Sequence, residues 1–238
     1  MFQKSHNNVR LFCLKYFSYL CDMEKESNYG MTSEKGKIIQ KEYSEIKEKE
    51  VCEERGLTQI GGSKTKIDGS NGVSNESIKN FTGSSTQVHL TTQKHFIKVL
   101  GLDDDSINFI KMFCGNELLN VKGRDRYFIP EINTKYVDGF LKFLNNNKVK
   151  VIDLIICNGF NITSVVYRDL KTGKIYDVEY QEIINKVNEC DWVTKNGGIH
   201  LKNKNGKTYF HLQREGKTNK SNRYNVLWHI HRNLFLID

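Results

Sequence analysis

An aspartate and a lysine flank a short turn in the segment KTKIDGSNGVSNESIKNF, residues 64–81. Asp68 ends one short extended run, and Lys79 lies near the end of the next, with a turn rich in Gly, Ser and Asn between them. Two neighbouring strands with this spacing would bring a carboxylate and an amine to one point. Such a pair can hold a divalent metal ion and polarise a water molecule, which is the minimal equipment for hydrolysing a phosphodiester bond.

This interpretation leaves one gap, two residues before the lysine. Side chains alternate along a strand, so the residue that shares a face with Lys79 is Ser77, not an acid. Mg²⁺ is the expected cofactor, because it takes hard oxygen ligands and keeps several waters, so that two carboxylates and a backbone carbonyl suffice. Either an acid from another element completes the metal shell, or a bulge turns Glu76 onto this face, or the acid is lost and the chain binds DNA without cutting it.

The chain carries a strongly basic C-terminal part. It has 238 residues, enough for one substantial core, and a net charge of +8. Residues 195–238 contain nine Lys or Arg and only two acids. A concentrated basic surface favours a polyanionic partner, because Lys and Arg displace condensed counterions from phosphates. The residues predicted to contact duplex DNA there are Gln213, Arg214, Lys217, Lys220 and Arg223.

The apolar pattern predicts one α/β domain with a mixed central sheet flanked by helices, followed by a β-rich basic C-terminal part. Helices are expected over 33–55, 87–101, 103–115 and 131–144. Strands are expected on both sides of the loop at 61–63, over 73–81 and 149–159, as a hairpin over 164–180 turned at 171–174, and as three antiparallel strands within 197–235. Residues 1–32 are predicted to be an N-terminal extension, and 33–238 a single domain with a helical insertion at about 103–145.

The remaining sequence features favour a cytoplasmic protein without a membrane anchor. The opening apolar run is interrupted by Lys15 and is too short for a membrane span or a good signal peptide. Six scattered cysteines form no CxxC pair, which argues against a structural zinc site and a disulfide framework. The pair His229 and His231 is expected to serve packing or phosphate contact.

The region around the hairpin resembles the PD-(D/E)xK nucleases, the restriction-endonuclease-like superfamily. The run ERGLTQIGGSKTKIDG (54–69) is similar to a segment of archaeal Holliday-junction resolvases, where a Gly-Ser loop precedes the metal aspartate. The run SIKNFTGSSTQVHLTTQKHFI (77–97) resembles a bacterial restriction-endonuclease-like group in which Ser-x-Lys stands in place of (Asp/Glu)-x-Lys. The resemblance covers about residues 34–100.

This resemblance implies roles for particular residues. Asp68 matches the metal aspartate, and Ser77 and Lys79 match the strand motif. Gln87 and His89 match positions on the helix that follows and are expected to contact DNA. In related nucleases a glutamate on the upstream helix reaches the metal. The candidates here are Glu45 and Glu42, and Glu45 is preferred because it flanks the apolar stripe at Ile46.

The implied activity is Mg²⁺-dependent hydrolysis of duplex DNA by a type II restriction enzyme, which would need to form a homodimer to cut both strands. The alternatives are a junction or repair nuclease and a non-catalytic DNA-binding protein on the same fold.

Overall fold

A computed structural model of the chain describes residues 42, 46–61, 65–115, 126–213 and 224–236. We number the elements along the chain as follows. The helices are α1 Glu48–Glu54, α2 Gln93–Leu100, α3 Asp104–Cys114, α4 Thr134–Asn146, α5 Lys148–Ile156 and α6 Tyr180–Asn188. The strands are β1 Thr58–Gln59, β2 Gly69–Ser70, β3 Asn75–Phe81, β4 Ser85–Thr92, β5 Ser164–Asp169, β6 Ile175–Glu179, β7 Asp191–Lys195, β8 Gly198–Lys202, β9 Thr208–Gln213 and β10 Asn225–His231.

The first sheet is mixed and has the order β1-β2-β3-β5-β6. Strands β3 and β5 run parallel, and every other neighbouring pair is antiparallel. A parallel pair needs a long crossover, and here it contains β4 and helices α2 to α5. The short connection from β2 to β3 brings Asp68, the residue just before β2, next to β3. This pairing positions the candidate site.

The second sheet is antiparallel throughout and has the order β4-β10-β9-β8-β7. Its inner face packs on the same hydrophobic core as the first sheet and the helices. Trp192 of β7 and Trp228 of β10 are both buried, with ring centroids 5.3 Å apart. The first sheet contributes Phe81 and Tyr167, whose rings meet edge to face at 4.5 Å. One core therefore joins the two sheets.

Helix α1 packs on the opposite face of the first sheet. Its buried residues Val51 and Cys52 form a separate small cluster with Ile78 of β3 and Val166 of β5. The helix approaches β2 so closely that a Cβ atom added at Gly69 would lie 2.7 Å from the Cys52 sulfur. A glycine at this position lets the helix lie directly against the strand that follows Asp68.

Substituting Gly69 by alanine is expected to lower the free energy of unfolding by about 1–3 kcal/mol, the usual cost of overpacking. The reason is the clash with the Cys52 sulfur and with Leu57, whose Cδ1 would lie 3.1 Å from the new methyl group. Urea denaturation of Gly69→Ala and of Gly83→Ala, where an added Cβ meets nothing within 4 Å, gives the comparison. Equal stability of the two variants would contradict this account of the packing.

Several expected elements are present in the structure. The hairpin predicted over 164–180 is formed by β5 and β6, and strand β3 lies within the predicted 73–81. Helices α3 and α4 lie where helices were expected. The C-terminal part is β-rich as predicted: the three antiparallel strands expected within 197–235 are β8, β9 and β10, and β7 lies just before them. The division into an N-terminal extension and one domain stays a prediction, and 1–32 lies outside the described residues.

Three expected elements are wrong. The strand expected between the loop at 61–63 and Asp68 is not formed by the described residues 65–68, and β2 begins only at Gly69. The helix predicted over 87–101 begins only at Gln93, because 85–92 pairs with β10 as strand β4. The strand predicted over 149–159 is helix α5, which buries Val151, Ile152, Leu154, Ile155 and Ile156. A short run of apolar residues that is buried almost all round does not distinguish a strand from a helix by its periodicity.

Candidate active site

Asp68, Ser77 and Lys79 meet at one carboxylate oxygen. Asp68 Oδ2 accepts hydrogen bonds from Lys79 Nζ at 3.2 Å, from Ser77 Oγ at 3.3 Å and from the Ile78 backbone N–H at 2.6 Å. The backbone N–H of Asp68 donates to the Glu76 carbonyl, so the aspartate lies beside β3 in register with this site. The side chains of Lys79 and Asp68 are only 15% and 13% exposed. Partial burial of an ion pair strengthens its electrostatic interactions with any third charge.

Glu48, in the first turn of α1, is the acid that interacts electrostatically with this pair. The pKa of the Glu48 carboxyl is raised to about 8, first by burial and then by repulsion from Asp68, while Lys79 acts to lower it. Glu48 lies three and four residues before Val51 and Cys52, so it shares the helix face that packs on the sheet. That helical spacing is the signal by which the sequence could have identified it.

Of the two glutamates predicted from the sequence, the structure describes only one. Glu42 is exposed, and Glu45 lies outside the described residues. The preference for Glu45 depended on an apolar stripe through Ile46, but the Ile46 side chain is 48% exposed. The backbone at Ile46 and Lys47 is π-helical and has more residues per turn than an α-helix. A buried face predicted with 3.6 residues per turn is therefore assigned to the wrong residues here.

Glu76 points away from the site. Its carboxylate forms a two-pronged ion pair with Arg55, with distances of 2.7 Å from Nε and 3.0 Å from Nη2. Arg55 also contacts the exposed Asp177 at 2.7 Å. The pairing of β3 with β2 and β5 runs without a register shift, so no bulge turns Glu76 toward Asp68. The interpretation in which Glu76 replaces the missing acid is therefore wrong.

A second lysine lies beside the site, and the sequence reasoning missed it. Lys66 Nζ donates to the Val88 carbonyl at 2.6 Å and to the Ile155 carbonyl at 3.4 Å. Its pKa is lowered to about 7, first by burial and then by repulsion from Lys79, while Asp68 opposes this shift. The Ile155 carbonyl belongs to the last turn of α5, where the helix dipole favours a cation. Lys66 thus ties the segment before Asp68 to β4 and α5.

Gln87 and His89 both lie on β4 rather than on the predicted helix. Gln87 is exposed and pairs with His229 of β10, whereas His89 is buried opposite Trp228. The pKa of His89 is well below its ordinary value, chiefly because of burial and also because of Lys66. Of the two, only Gln87 is accessible to a large partner.

The residues predicted to contact DNA near the C-terminus fall mostly outside the described residues. Gln213 is exposed at the end of β9, and its Oε1 lies 3.4 Å from Nε2 of His211. The others, Arg214, Lys217, Lys220 and Arg223, are outside the described residues.

Four histidines form a continuous cluster across β8, β9 and β10, which we call the histidine face: His200, His211, His229 and His231. The His211 ring lies 5.2 Å from that of His200, 4.7 Å from His229 and 4.8 Å from His231, measured between centroids. His211 Nδ1 and His231 Nε2 share a hydrogen bond of 2.7 Å. Burial lowers the pKa of His200 and His229 to about 4 and that of His231 to about 3. All three are therefore neutral at pH 7.

Acidification is expected to destabilise the fold through the histidine face. Between the ordinary histidine pKa of 6.5 and the lowered values near 4, the unfolded chain binds protons that the folded His200, His229 and His231 do not. The free energy of unfolding therefore decreases as the pH is lowered, by up to about 1.4 kcal/mol per pH unit for each histidine. Urea denaturation between pH 7 and pH 5 measures this slope.

The double variant His229→Asn/His231→Asn should show a shallower slope than the wild-type chain. Gln181→Ala, which removes an exposed uncharged side chain of α6, should keep the wild-type slope. Equal slopes for the wild type and the double variant would contradict the assignment.

Comparison with known proteins does not assign the chain to a family. No protein-family model matches the chain, and no curated protein matches it either. Among the described residues, no group of three or more His, Cys, Asp or Glu side chains could hold a metal ion. Nor does that part of the chain include a helix long and apolar enough to cross a membrane.

Proposed function

We propose that the chain is a Mg²⁺-dependent endonuclease with a restriction-endonuclease-like core, which hydrolyses phosphodiester bonds in duplex DNA as a type II restriction enzyme. The observation that carries the proposal is the meeting of Asp68 and Lys79 across the β2–β3 hairpin, beneath the helix face of Glu48. Cys52, one turn after Glu48 on that face, has its Sγ 3.8 Å from the Asp68 carbonyl oxygen. A mixed sheet with this hairpin at its centre and α1 on one face supports the same class.

Asp68 and Glu48 are the residues that would hold the metal. The three hydrogen bonds described for Asp68 all reach Oδ2, so Oδ1 is the oxygen assigned to the ion. Two carboxylates that repel each other become favourable together beside a divalent cation, which would return the raised pKa of Glu48 toward its ordinary range. When bound, Mg²⁺ would supply charge neutralisation at the phosphate and a more acidic water.

Lys79 and Ser77 have separate tasks in this proposal. An ammonium group has three N–H donors, and the described contacts of Lys79 use two, to Asp68 and to the Ile78 carbonyl at 3.0 Å. The third can donate to the attacking water or to a phosphate oxygen and offset negative charge that develops there. Ser77 is buried and fixes the orientation of the Asp68 carboxylate instead of serving as a metal ligand.

The second sheet would hold the duplex. In the described stretches 195–213 and 224–236 the sequence contains five Lys or Arg and no acid. Strand β4 connects this region to the site, because the Val88 carbonyl accepts from Lys66 while the adjacent Gln87 pairs with β10. A cytoplasmic homodimer would present two such sites to the two DNA strands.

Nicking of supercoiled plasmid in Mg²⁺ tests the proposal. The wild-type chain is expected to nick or linearise the plasmid, and both Asp68→Ala and Lys79→Ala are expected to lose at least about 100-fold in rate. Asp104→Ala and Lys94→Ala, which remove exposed charges of the same types, should cut like the wild type. Wild-type protein that binds the plasmid but never nicks it would contradict an enzymatic function.

A non-catalytic DNA-binding protein is the second candidate. It is favoured by one observation, namely that Ser77 occupies the position where the strand motif usually carries an acid. In that case Asp68 and Lys79 form an ion pair that serves only stability, and the alanine variants would bind DNA as the wild type does.

A further inference from the structure

Helix α1, which carries Glu48, is tied to the first sheet by a guanidinium group at each end. Near its C-terminal end, Arg55 contacts Glu76 of β3 and also Asp177 of β6. Near its N-terminal end, Arg168 of β5 contacts Glu50 of the helix. Between the two ties, the apolar contacts of Val51 and Cys52 hold the middle of the helix on the sheet.

The contacts of Arg168 lie on both sides of Glu48 in the sequence. Its Nη1 donates to Glu50 Oε2 at 2.6 Å and to the backbone carbonyl of Lys47 at 3.3 Å. The Glu50 carboxylate is also contacted by Lys47, whose Nζ donates to Glu50 Oε1 at 3.2 Å. The Arg168 side chain is 17% exposed and that of Glu50 is 40% exposed, so the guanidinium lies mostly within the contact between helix and sheet while the carboxylate reaches solvent.

The turn held in this way is the one that needs support. Ile46 and Lys47 are π-helical, a conformation that is rare and less closely packed than the α-helix, and α1 itself has only seven residues. Lys47 makes no side-chain cap hydrogen bond at the start of α1. Rotation of this turn would move the Glu48 carboxyl relative to Asp68, and Ile46, which is 48% exposed, contributes little apolar contact to resist it.

We propose that Arg168 is a positioning residue, which fixes the first turn of α1 so that the Glu48 carboxyl stays beside Asp68. This inference rests on the proposed function, because it concerns the second acid of that metal site. Groups that orient metal ligands without touching the metal typically change metal affinity by about 10–100-fold when they are removed.

Titration of Mn²⁺ by electron paramagnetic resonance, with the full-length chain, tests the inference through a double-mutant cycle. Arg168→Gln is expected to weaken Mn²⁺ binding about 10-fold. Glu48→Gln should weaken it as well, and in that background Arg168→Gln should cause no further loss, because the residue it positions has lost its charge. Lys171→Gln, which removes an exposed positive charge on the β5–β6 turn, should bind Mn²⁺ as the wild type does.

A second variant covers the case in which Arg168→Gln does not fold. Glu50→Gln removes the same contact from the helix side, where the Glu50 side chain is 40% exposed, and should weaken Mn²⁺ binding in the same direction. Wild-type affinity in folded Arg168→Gln or Glu50→Gln, or an equal further loss in the Glu48→Gln background, would overturn the inference and leave the proposed function intact. A wild-type chain that binds no Mn²⁺ would overturn both.

Discussion

Replacing Glu48 by glutamine is expected to reduce Mg²⁺-dependent DNA cleavage by about 100-fold or more while leaving the chain folded. The change removes one of the two carboxylates proposed to hold the metal and preserves the size of the side chain. Initial nicking rates over a range of Mg²⁺ concentrations would show whether the loss is in metal affinity, which excess Mg²⁺ partly restores, or in the rate at saturation.

The same substitution should stabilise the metal-free protein. The Glu48 pKa is raised to about 8, whereas the unfolded chain ionises this group near 4.5, so keeping a carboxyl here costs stability that increases as pH rises between these values. Urea denaturation at pH 8 in the presence of a chelator should show Glu48→Gln more stable than the wild type by about 1 kcal/mol or more. A gain in stability together with a loss of activity is typical of a functional residue and is not expected of a structural one.

Two matched substitutions on the same segment serve as controls. Glu42→Gln and Glu53→Gln remove exposed carboxylates from this stretch of the chain, and both should cut at the wild-type rate. Full activity of Glu48→Gln, or loss of activity in Glu42→Gln alone, would show that another glutamate completes the site.

The second large effect concerns stability. Glu76→Gln is expected to lower the free energy of unfolding by about 2–4 kcal/mol, because breaking one partner of a shielded ion pair leaves the other charge uncompensated. The Glu76 side chain is only 6% exposed and that of Arg55 25%, so water replaces the lost contact poorly. Urea denaturation at pH 7 measures the change.

The control for this prediction is the other carboxylate that contacts Arg55. Asp177→Asn removes a contact whose acid is 54% exposed, so it should cost less than about 1 kcal/mol. Folded Glu76→Gln should bind Mn²⁺ within about threefold of the wild type, since the described contacts of the Glu76 carboxylate are to Arg55 and Ser74 and not to Asp68 or Lys79. Complete loss of metal binding without loss of stability would make Glu76 a metal ligand and contradict the register of β3.

The pairing of Asp68 with Lys79 could be predicted from the sequence because it depends on local rules. The turn residues between them favour a hairpin, and the two-residue period of a strand puts Ser77 and Lys79 on one face. The β5–β6 hairpin was predictable for the same reason, since Gly173 adopts a positive φ of 74° in the turn. Both features are determined by residues that are close together in the sequence.

Glu48 was harder to predict, because only its spacing from Val51 and Cys52 indicates it and the helical period breaks just before it. The π-helical turn at Ile46 and Lys47 shifts the buried face to Val51 and Cys52, and with it the glutamate that faces the sheet. No residue type in the sequence indicates such a turn. Strand β4 and helix α5 were missed for a related reason, since tertiary pairing with β10 and burial on nearly every side override local pattern.

Anomalous scattering from crystals soaked in Mn²⁺ is the most direct test of the central claim, that Asp68 and Glu48 hold a catalytic divalent ion beside Lys79. We expect one strong anomalous peak within about 2.0–2.3 Å of a carboxylate oxygen of each acid, lost in crystals of Asp68→Asn. The absence of a peak at saturating Mn²⁺, or a peak held only by the histidine face, would contradict the account.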